Sequence, residues 1–419
     1  MPFMYSRYAQ RFLKQTGTVQ LMDDLAERGP GTIMLGGGNP AAIPALQPIF
    51  RQAMQDIMRA GDAFDRMLGD YSGPKGHSQF IQALAAYLRE QVGLDVTDKN
   101  IALTNGSQTS FGLLFNCFAG MMENTERKRI LIPMVPEYIG YADQDVSGER
   151  LVESKLPKLK MLPNDFYQYH IDFDALDIDE RLGAMVVSRP TNPTGNVIAD
   201  EELEKLASLA GKASIPLIID GAYGLPFPAI VHTPAKVLWN KNIVLCLSLS
   251  KLGLPGLRTG IVVANEQVIE LLRRANAINM LAPGNVGAYV GERLLQHGAM
   301  QRVCDQIVRP YYETKRQFAL EAIRDKLSDL PLKLHRPDGA FFLWLWFKDL
   351  PIRSQELYNR LREKNVMVLA GEHFYPGIHP EEQSWQHRYE CIRISYAAPE
   401  ADLTKGIETI AETVRPLYG

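Results

Sequence analysis

Short runs of almost uninterrupted apolar residues constrain the fold of this chain more than any other feature of its sequence. Strands this apolar must be covered on both faces, as in a parallel sheet between helices. Helical patterns separate the runs, such as residues 200–213 with their acidic first turn. The alternation predicts an α/β fold with a mostly parallel central sheet. The six clearest runs are residues 101–103, 130–132, 184–187, 216–219, 243–247 and 260–263.

The two ends of the chain differ from this alternating middle. The 419 residues are 46% hydrophobic and 22% charged, a globular composition with enough length for two or three domains. Residues 1–45 are irregular, and beyond residue 305 a long helical pattern precedes a mixture of strand and helix patterns. We therefore predict an N-terminal arm and part of a small domain at 1–45, a large domain at 46–305, and a small α+β domain at 306–419.

The charge balance and the cysteine pattern exclude several classes of function. Lys and Arg number 45 against 48 Asp and Glu, so no basic surplus exists to hold a nucleic acid or an anionic membrane. The longest apolar run, 340–347, is too short to cross a bilayer, and the N-terminus lacks the core of a signal peptide. The four cysteines and eight histidines show no metal spacing. We expect a cytoplasmic protein without a metal, a membrane or a nucleic-acid partner.

Polar residues follow four of the predicted strands at the points where the strands end. The clusters are residues 104–108, 188–195, 220–223 and 248–251. In an open α/β sheet, ligands bind outside the carboxyl ends of the strands. One such cluster is an ordinary loop, but four of them favour a common site.

Three of these clusters carry groups with distinct chemistry. NGSQ at 105–108 offers backbone N–H groups at a strand-to-helix turn, which suits an anion or, equally well, a plain helix cap. Asp220 ends an apolar run and needs a cation or several donors. Lys251 is beside an apolar strand, where an amine can have a lowered pKa, although an isolated lysine is more often a solvated charge. Together they match pyridoxal phosphate, which needs a lysine, an acidic partner for its ring nitrogen and an anion site.

The segment SLSKLGLPGLRTG at 248–260 resembles the cofactor-lysine signature of the class I/II aminotransferases, the fold-type-I pyridoxal-phosphate enzymes. Other motifs match in the same order along the chain: YSGPKG at 71–76, NPTG at 192–195, DGAY at 220–223 and RISY at 393–396. The resemblance implies a fold-type-I transferase, pyridoxal 5'-phosphate as cofactor, and transamination of amino acids with 2-oxo acids by a ping-pong Schiff-base mechanism.

The resemblance also implies a role for individual residues. Lys251 would form the Schiff base, Asp220 would pair with the ring nitrogen, and Tyr223 would bond the phenolic oxygen as the third catalytic residue. In the family, the tyrosine that matches Tyr71 reaches the phosphate of the neighbouring subunit, so the resemblance implies a homodimer with shared active sites. The implied substrate-binding residues are Gly38, Asn192 and Arg393. The implied cofactor-binding residues are Tyr71, Ser107, Gln108, Tyr138, Asn192, Asp220, Tyr223, Ser248, Ser250, Lys251 and Arg258.

Further segments resemble a bacterial branch of this family that acts on valine and pyruvate, giving 2-oxoisovalerate and alanine. They are LMDDL at 21–25, LGGGNP at 35–40, PEYIGYAD at 136–143, SRPTNPTGNV at 188–197 and FLWLWFKDLP at 342–351. The alternatives are another or a broad specificity (aromatic or other aliphatic amino acids), a lyase on the same scaffold, and a cofactor-binding regulatory module. Phe341 and Phe342 fit a small aliphatic substrate, but burial statistics favour a core strand for them. Residues 370–377 depart from the PG-x-x-F segment of many relatives.

Overall fold

The protein is described by a computed structural model that covers residues 3–14, 16–26, 29, 31–147, 150–379 and 385–419. The strands are β1 (Ile33–Met34), β2 (Ile101–Thr104), β3 (Gly120–Met121), β4 (Arg127–Ile132), β5 (Val152–Ser154), β6 (Lys158–Met161), β7 (Phe166–His170), β8 (Leu182–Ser188), β9 (Leu217–Asp220), β10 (Ile243–Ser248), β11 (Gly260–Val263), β12 (Leu332–His335), β13 (Phe342–Phe347), β14 (Val366–Met367), β15 (Leu369–Ala370) and β16 (Cys391–Ser395). The α-helices are α1 (Arg7–Gln10), α2 (Gly17–Ala26), α3 (Leu46–Arg59), α4 (Ala63–Gly69), α5 (Ser78–Glu90), α6 (Ser107–Phe118), α7 (Asp200–Lys212), α8 (Glu266–Met280), α9 (Val286–Leu295), α10 (Ala299–Val303), α11 (Arg309–Leu327), α12 (Ser354–Glu363) and α13 (Glu400–Val414).

The predicted apolar runs form one large sheet. In the described residues its order is β2-β11-β10-β9-β8-β4-β3, with β5 also paired to β4. The pairs β10·β9, β9·β8, β8·β4 and β4·β5 are parallel, whereas β11 is antiparallel to both of its neighbours. Every residue of β8, β9 and β10 is buried, as expected for strands covered on both faces. The predicted mostly parallel sheet is confirmed.

A second sheet combines C-terminal strands with a hairpin from the middle of the chain. Its order is β15-β16-β13-β12-β7-β6. The hairpin β6–β7 lies within the range 46–305 assigned to the large domain, yet it pairs with β12. No local pattern signals a pairing between segments so far apart in sequence. The domain boundaries themselves stay a prediction.

The N-terminal segment packs against the C-terminal part of the chain. Strand β1 pairs in parallel with β14, and the Ser395 N–H donates to the Leu35 carbonyl at 2.7 Å. A small domain built from both ends of the chain requires contacts of this kind. In the described residues, no helix is long and apolar enough to cross a membrane.

The large sheet brings the predicted polar clusters to one edge. Strands β2, β10, β9, β8 and β4 run in the same direction, so their carboxyl ends lie together. The register pairs Asp220 with Ser188 on one side and with Cys246 on the other. The reversed strand β11 begins at this edge, and Gly260 lies opposite both Ser248 and Thr104. The residues after four strands and before a fifth therefore lie at one edge of the sheet.

Candidate active site

Lys251 lies in a short turn, Ser250–Leu252, directly after β10. Its Nζ donates a hydrogen bond to the Gly38 carbonyl at 2.7 Å and lies 5.4 Å from the centroid of the Tyr223 ring. Burial, together with the charges of Arg393 and Arg258, lowers the pKa of Lys251 to about 8, although Asp220 opposes this shift. A larger share of the amine is therefore neutral near pH 7 than for a solvated lysine.

Asp220 ends β9 and is 7% exposed. Its Oδ1 accepts from the Ala222 N–H at 2.9 Å, and its Oδ2 accepts from the Tyr141 hydroxyl at 2.9 Å. Burial raises the pKa of Asp220 to about 6, and the two hydrogen bonds and Lys251 limit the rise. The side chain is thus mostly an oriented carboxylate at neutral pH.

The start of α6 forms a cradle that only a glycine allows. Gly106 has a φ of +87°, and a Cβ there would lie 2.3 Å from Arg258 Nη2. Ser107 begins the helix, whose free N–H groups favour an anion. The Ser248 hydroxyl accepts from the Ser250 N–H at 3.1 Å and donates to the Thr259 carbonyl at 3.4 Å, which ties the Lys251 turn to the start of β11. The cradle therefore places the free N–H groups of α6 beside the Arg258 guanidinium.

Tyr138 and Gln108 approach each other at the next part of the edge. A Cβ on Gly140 would lie 2.5 Å from Tyr138 Cε1 and 3.0 Å from Gln108 Oε1, so the two side chains share one wall. The Gln108 Oε1 is buried and has no hydrogen-bond partner among the described residues. Burial raises the pKa of Tyr138 to about 12, so its ring stays neutral.

Arg393 in β16 points from the second sheet toward this edge and is 1% exposed. Its Nη1 donates to Asn192 Oδ1 at 2.6 Å and its Nη2 to the Gly36 carbonyl at 2.5 Å. Its Nε is buried and unpartnered within the described ranges. Burial lowers the pKa of Arg393 to about 10, which leaves it charged at neutral pH. A buried guanidinium with spare donor capacity is suited to a carboxylate.

Two phenylalanines join the arginine to the rest of the site. The Tyr223 ring packs on Phe341 and Phe342, with centroids 5.2 Å and 5.6 Å away. Phe341 also stacks on Tyr312, whereas the Phe342 ring lies 4.1 Å from the Arg393 Cζ. Phe341 therefore packs within the core, whereas Phe342 lies against the arginine.

Tyr71 lies apart from these contacts. Its ring is 79% exposed, and its segment is held to α9 by the Ser72 hydroxyl, which donates to Asn285 Oδ1 at 2.5 Å. The Asn285 amide in turn donates to the Asp70 carbonyl at 2.6 Å. The other predicted site residues gather along the sheet edge and beneath Arg393.

Three contributors to the site escaped the sequence prediction. They are Tyr141, which binds Asp220, the Gly36 carbonyl, which binds Arg393, and Glu137, which is buried beside Tyr138. The spacing of Tyr138 and Tyr141 was the available signal, because both follow β4 in one short segment. No sequence rule says which distant carboxylate such a hydroxyl reaches. In the described ranges, no group of three His, Cys, Asp or Glu side chains could hold a metal ion.

Comparison with known proteins places these residues in a family. The model of the family "Aminotransferase class I and II" matches residues 44–410. The valine–pyruvate aminotransferase of Escherichia coli K12 is 44% identical, covering 98% of each chain. The solved structure of a putative amino-acid aminotransferase from Psychrobacter arcticum 273-4 has a TM-score of 0.96 at 42% identity, over 100% of this chain and 99% of that one. That of valine–pyruvate aminotransferase from Salmonella typhimurium LT2 has a TM-score of 0.88 at 44% identity, over 96% and 99%. The predicted fold-type-I architecture is confirmed.

Proposed function

The chain belongs to the aminotransferase class I and II family, and on that premise we propose that it transfers the amino group between valine and pyruvate. The products would be 2-oxoisovalerate and alanine. The observation that carries the proposal is the meeting of the Lys251 amine, the Asp220 carboxylate and the Arg393 guanidinium at one edge. The 44% identity to the valine–pyruvate enzyme of E. coli over nearly the whole chain supports the substrate pair.

The donor set at the edge fits the family's cofactor, pyridoxal 5'-phosphate. The Gly106 cradle would take its phosphate with Ser107, Gln108, Ser248, Ser250 and Arg258 as ligands, because a Cβ at position 106 would fill the space beside the guanidinium. Asp220 would face the ring nitrogen, Tyr138 would pack on the ring, and Tyr223 with Asn192 would bond the phenolic oxygen. When bound, the cofactor supplies an aldehyde that condenses with amines and a ring that withdraws electrons from the adjoining carbon.

The chain's own residues would bind and orient the amino acid. Arg393 would hold the α-carboxylate, since a planar fork already fixed by Asn192 and Gly36 loses little freedom on binding. The Gly38 carbonyl, which accepts from Lys251 in this structure, would line the opposite wall. The substrate's α-carbon would then lie between the carboxylate clamp and the lysine.

Lys251 would move the proton on which the exchange depends. Its Nζ would take the proton from the substrate's α-carbon and return it at the cofactor's reactive carbon, a transfer that a lowered pKa favours near neutrality. Asp220 Oδ would hold a proton at the ring nitrogen. The same residues serve both half-reactions, so valine leaves as its 2-oxo acid before pyruvate enters.

The charges around Lys251 favour an apolar substrate. The groups whose charge shifts its pKa are Arg393, Asp220 and Arg258. Arg393 is assigned to the α-carboxylate and Arg258 to the phosphate, so a second substrate carboxylate would find no assigned cation. The Phe342 and Phe374 rings, 4.1 Å and 5.1 Å from the Arg393 Cζ, instead provide an apolar wall.

The proposed function predicts a two-step absorbance experiment with the cofactor-loaded protein. Adding valine alone should convert the visible band of the bound aldehyde to the ultraviolet band of the amine form, and pyruvate should then restore it. Quantifying 2-oxoisovalerate and alanine shows whether the amino group lost by valine is recovered in alanine. Aspartate and phenylalanine serve as comparison donors, and 3-chloroalanine with an assay for ammonia tests lyase activity. A faster conversion by either comparison donor, or ammonia release without 2-oxo acid exchange, would contradict the valine–pyruvate proposal.

We further propose that the enzyme works as a homodimer in which Tyr71 completes the partner's phosphate site. The exposure of its ring supports this assignment, because a side chain that is 79% exposed is accessible to a second copy of the chain. Leu68, Ile278 and Leu281 are also strongly exposed, at 62%, 84% and 62%. A second copy of the chain would cover such side chains.

The four cysteines are free thiols, which supports a cytoplasmic location.

Mixing two inactive variants tests this shared site. We expect Lys251→Ala and Tyr71→Ala chains, unfolded and refolded together, to be more active than the mean of the separate proteins. Half of the random dimers would carry one native site, so about a quarter of wild-type activity should return. Mixing the Tyr71→Ala chain with a Lys251→Ala/Tyr71→Ala chain is the control, since no partner then supplies Tyr71. An equal gain in both mixtures, or a monomer in light scattering, would refute the shared site.

A further inference from the structure

Glu137 is a buried carboxyl group that the proposed mechanism does not use. It is 1% exposed and directly precedes Tyr138. Its Oε1 accepts from the Ser188 N–H at 2.8 Å, and its Oε2 accepts from the Tyr138 N–H at 3.1 Å and from the Ser188 hydroxyl. One side chain thus receives three hydrogen bonds from two separate segments.

Each of these segments carries a group of the cofactor site. Ser188 ends β8 in register with Asp220, and the Arg189 N–H donates to the Asp220 carbonyl at 2.8 Å. Tyr138 provides the ring wall of the site. The Glu137 N–H also donates to the Phe374 carbonyl at 2.9 Å, and Phe374 contacts Arg393. Glu137 therefore joins the strand end that presents Asp220 to the segments around the ring and the substrate clamp.

A carboxyl group at this place is costly for stability alone. Burial raises the pKa of Glu137 to about 8, its hydrogen bonds from Ser188 and Tyr138 oppose the rise, and the charge of Asp220 adds to it. Burial and the charges of Asp220 and Glu137 also raise the pKa of Tyr141. A neutral side chain would avoid placing a second acid near Asp220, so a structural role alone does not account for the residue.

We propose that Glu137 is a positioning residue whose carboxyl group fixes Tyr138 and the Asp220 strand end relative to each other in the cofactor site. This inference rests on the proposed roles of Asp220 and Tyr138. The side chain acts through these two residues and does not itself touch the substrate.

Glu137→Gln isolates the role of the carboxyl group. The amide keeps one oxygen for the Ser188 N–H, but its NH₂ faces the Tyr138 N–H, which loses its acceptor. Titration of the apoprotein with pyridoxal 5'-phosphate should show an affinity lowered about ten- to a hundredfold, as expected when one buried N–H is left without its acceptor. The pH midpoint of the bound cofactor's visible band should shift. In the loaded enzyme kcat should fall, with KM for valine within about threefold.

Glu390→Gln is the matched control. Glu390 is also buried, but it lies beside β16 and accepts from Trp346 Nε1 at 2.7 Å. Its replacement should lower thermal stability and leave cofactor affinity and the band's pH midpoint unchanged. If Glu137→Gln affects only thermal stability, as Glu390→Gln does, the positioning role is wrong.

Two further variants keep the test decisive. Ser188→Ala removes one donor to Glu137 and retains the backbone, so it decides the question if Glu137→Gln does not fold. It should shift the pH midpoint of the band in the same direction by less, and the double variant should be non-additive. An unshifted midpoint in Ser188→Ala would overturn the inference.

Asp220→Asn separates a failure of this inference from a failure of the proposed function. If it changes cofactor binding while both Glu137→Gln and Ser188→Ala do not, the inference alone fails. If none of the three does, the proposed site fails.

Discussion

Replacing Lys251 with alanine is expected to abolish measurable transamination. The variant should still bind the cofactor when the apoprotein is titrated with it. The amine is the group that moves the proton, and a positioned proton transfer typically contributes about 10²–10⁴-fold to the rate. The phosphate donors in the Gly106 cradle and at Arg258 are untouched by the change. Single-turnover conversion with valine and a separate titration of the apoprotein with cofactor measure the two effects.

Lys315→Ala is the matched control for this experiment. Lys315 is likewise buried and donates to a backbone carbonyl, that of Ala398 at 2.7 Å, but it lies in α11. Its loss should lower the melting temperature and leave kcat unchanged. Near-normal turnover in Lys251→Ala, or an equal loss in both variants, would remove Lys251 from the mechanism.

The second large effect is expected for Asp220→Asn. The change keeps the shape of the side chain and a hydrogen-bond acceptor for Tyr141, but it removes the negative charge that would hold a proton at the ring nitrogen. We expect kcat with valine to fall about 10²- to 10⁴-fold, because the reacting carbon then loses its electron sink. Stopped-flow absorbance of the valine half-reaction isolates this step from product release.

Two comparison variants separate charge from packing. Asp24→Asn changes another buried aspartate that binds a tyrosine hydroxyl, since Tyr358 donates to both of its oxygens at 2.7 Å and 2.8 Å. It should alter stability and leave the half-reaction rate unchanged. Tyr141→Phe keeps the Asp220 charge and removes one donor, so its rate should lie between those of the wild type and Asp220→Asn. A wild-type rate in Asp220→Asn would rule out the assigned role.

The sequence predicts the elements that are determined by local composition, such as buried strands and helix starts. Strands such as β8 and β9 are buried on both faces, so their composition is uniformly apolar and their ends are marked by the first polar residue. Asp220 and Lys251 stand at such ends, which is why their grouping at one edge could be predicted. Helix α7 begins in its predicted place because three acidic residues fill its first turn.

Contacts between residues far apart in the chain determine the features that the sequence does not predict. The bond from Tyr141 to Asp220 and the bond from Arg393 to the Gly36 carbonyl join residues far apart in the chain, and neither has a periodic signal. The hairpin β6–β7 has an ordinary strand composition, and only its pairing with β12 assigns it to the second sheet. Phe341 and Phe342 are adjacent in sequence, yet only the folded chain shows which of them contacts the arginine.

The two sheets carry different parts of the proposed site. Lys251, Asp220 and the phosphate cradle all follow strands of the large sheet or precede β11, so their mutual distances are fixed within one layer. Arg393 belongs to β16 of the other sheet and reaches this layer through Asn192, which follows β8. A displacement of the second sheet would therefore change the distance from the carboxylate clamp to the amine. It would also reach the residues around the cofactor, through the bond from Arg393 to Asn192 and the bond from the Glu137 N–H to the Phe374 carbonyl. Binding of the substrate carboxylate and placement of the cofactor are, in this architecture, mechanically coupled through these contacts.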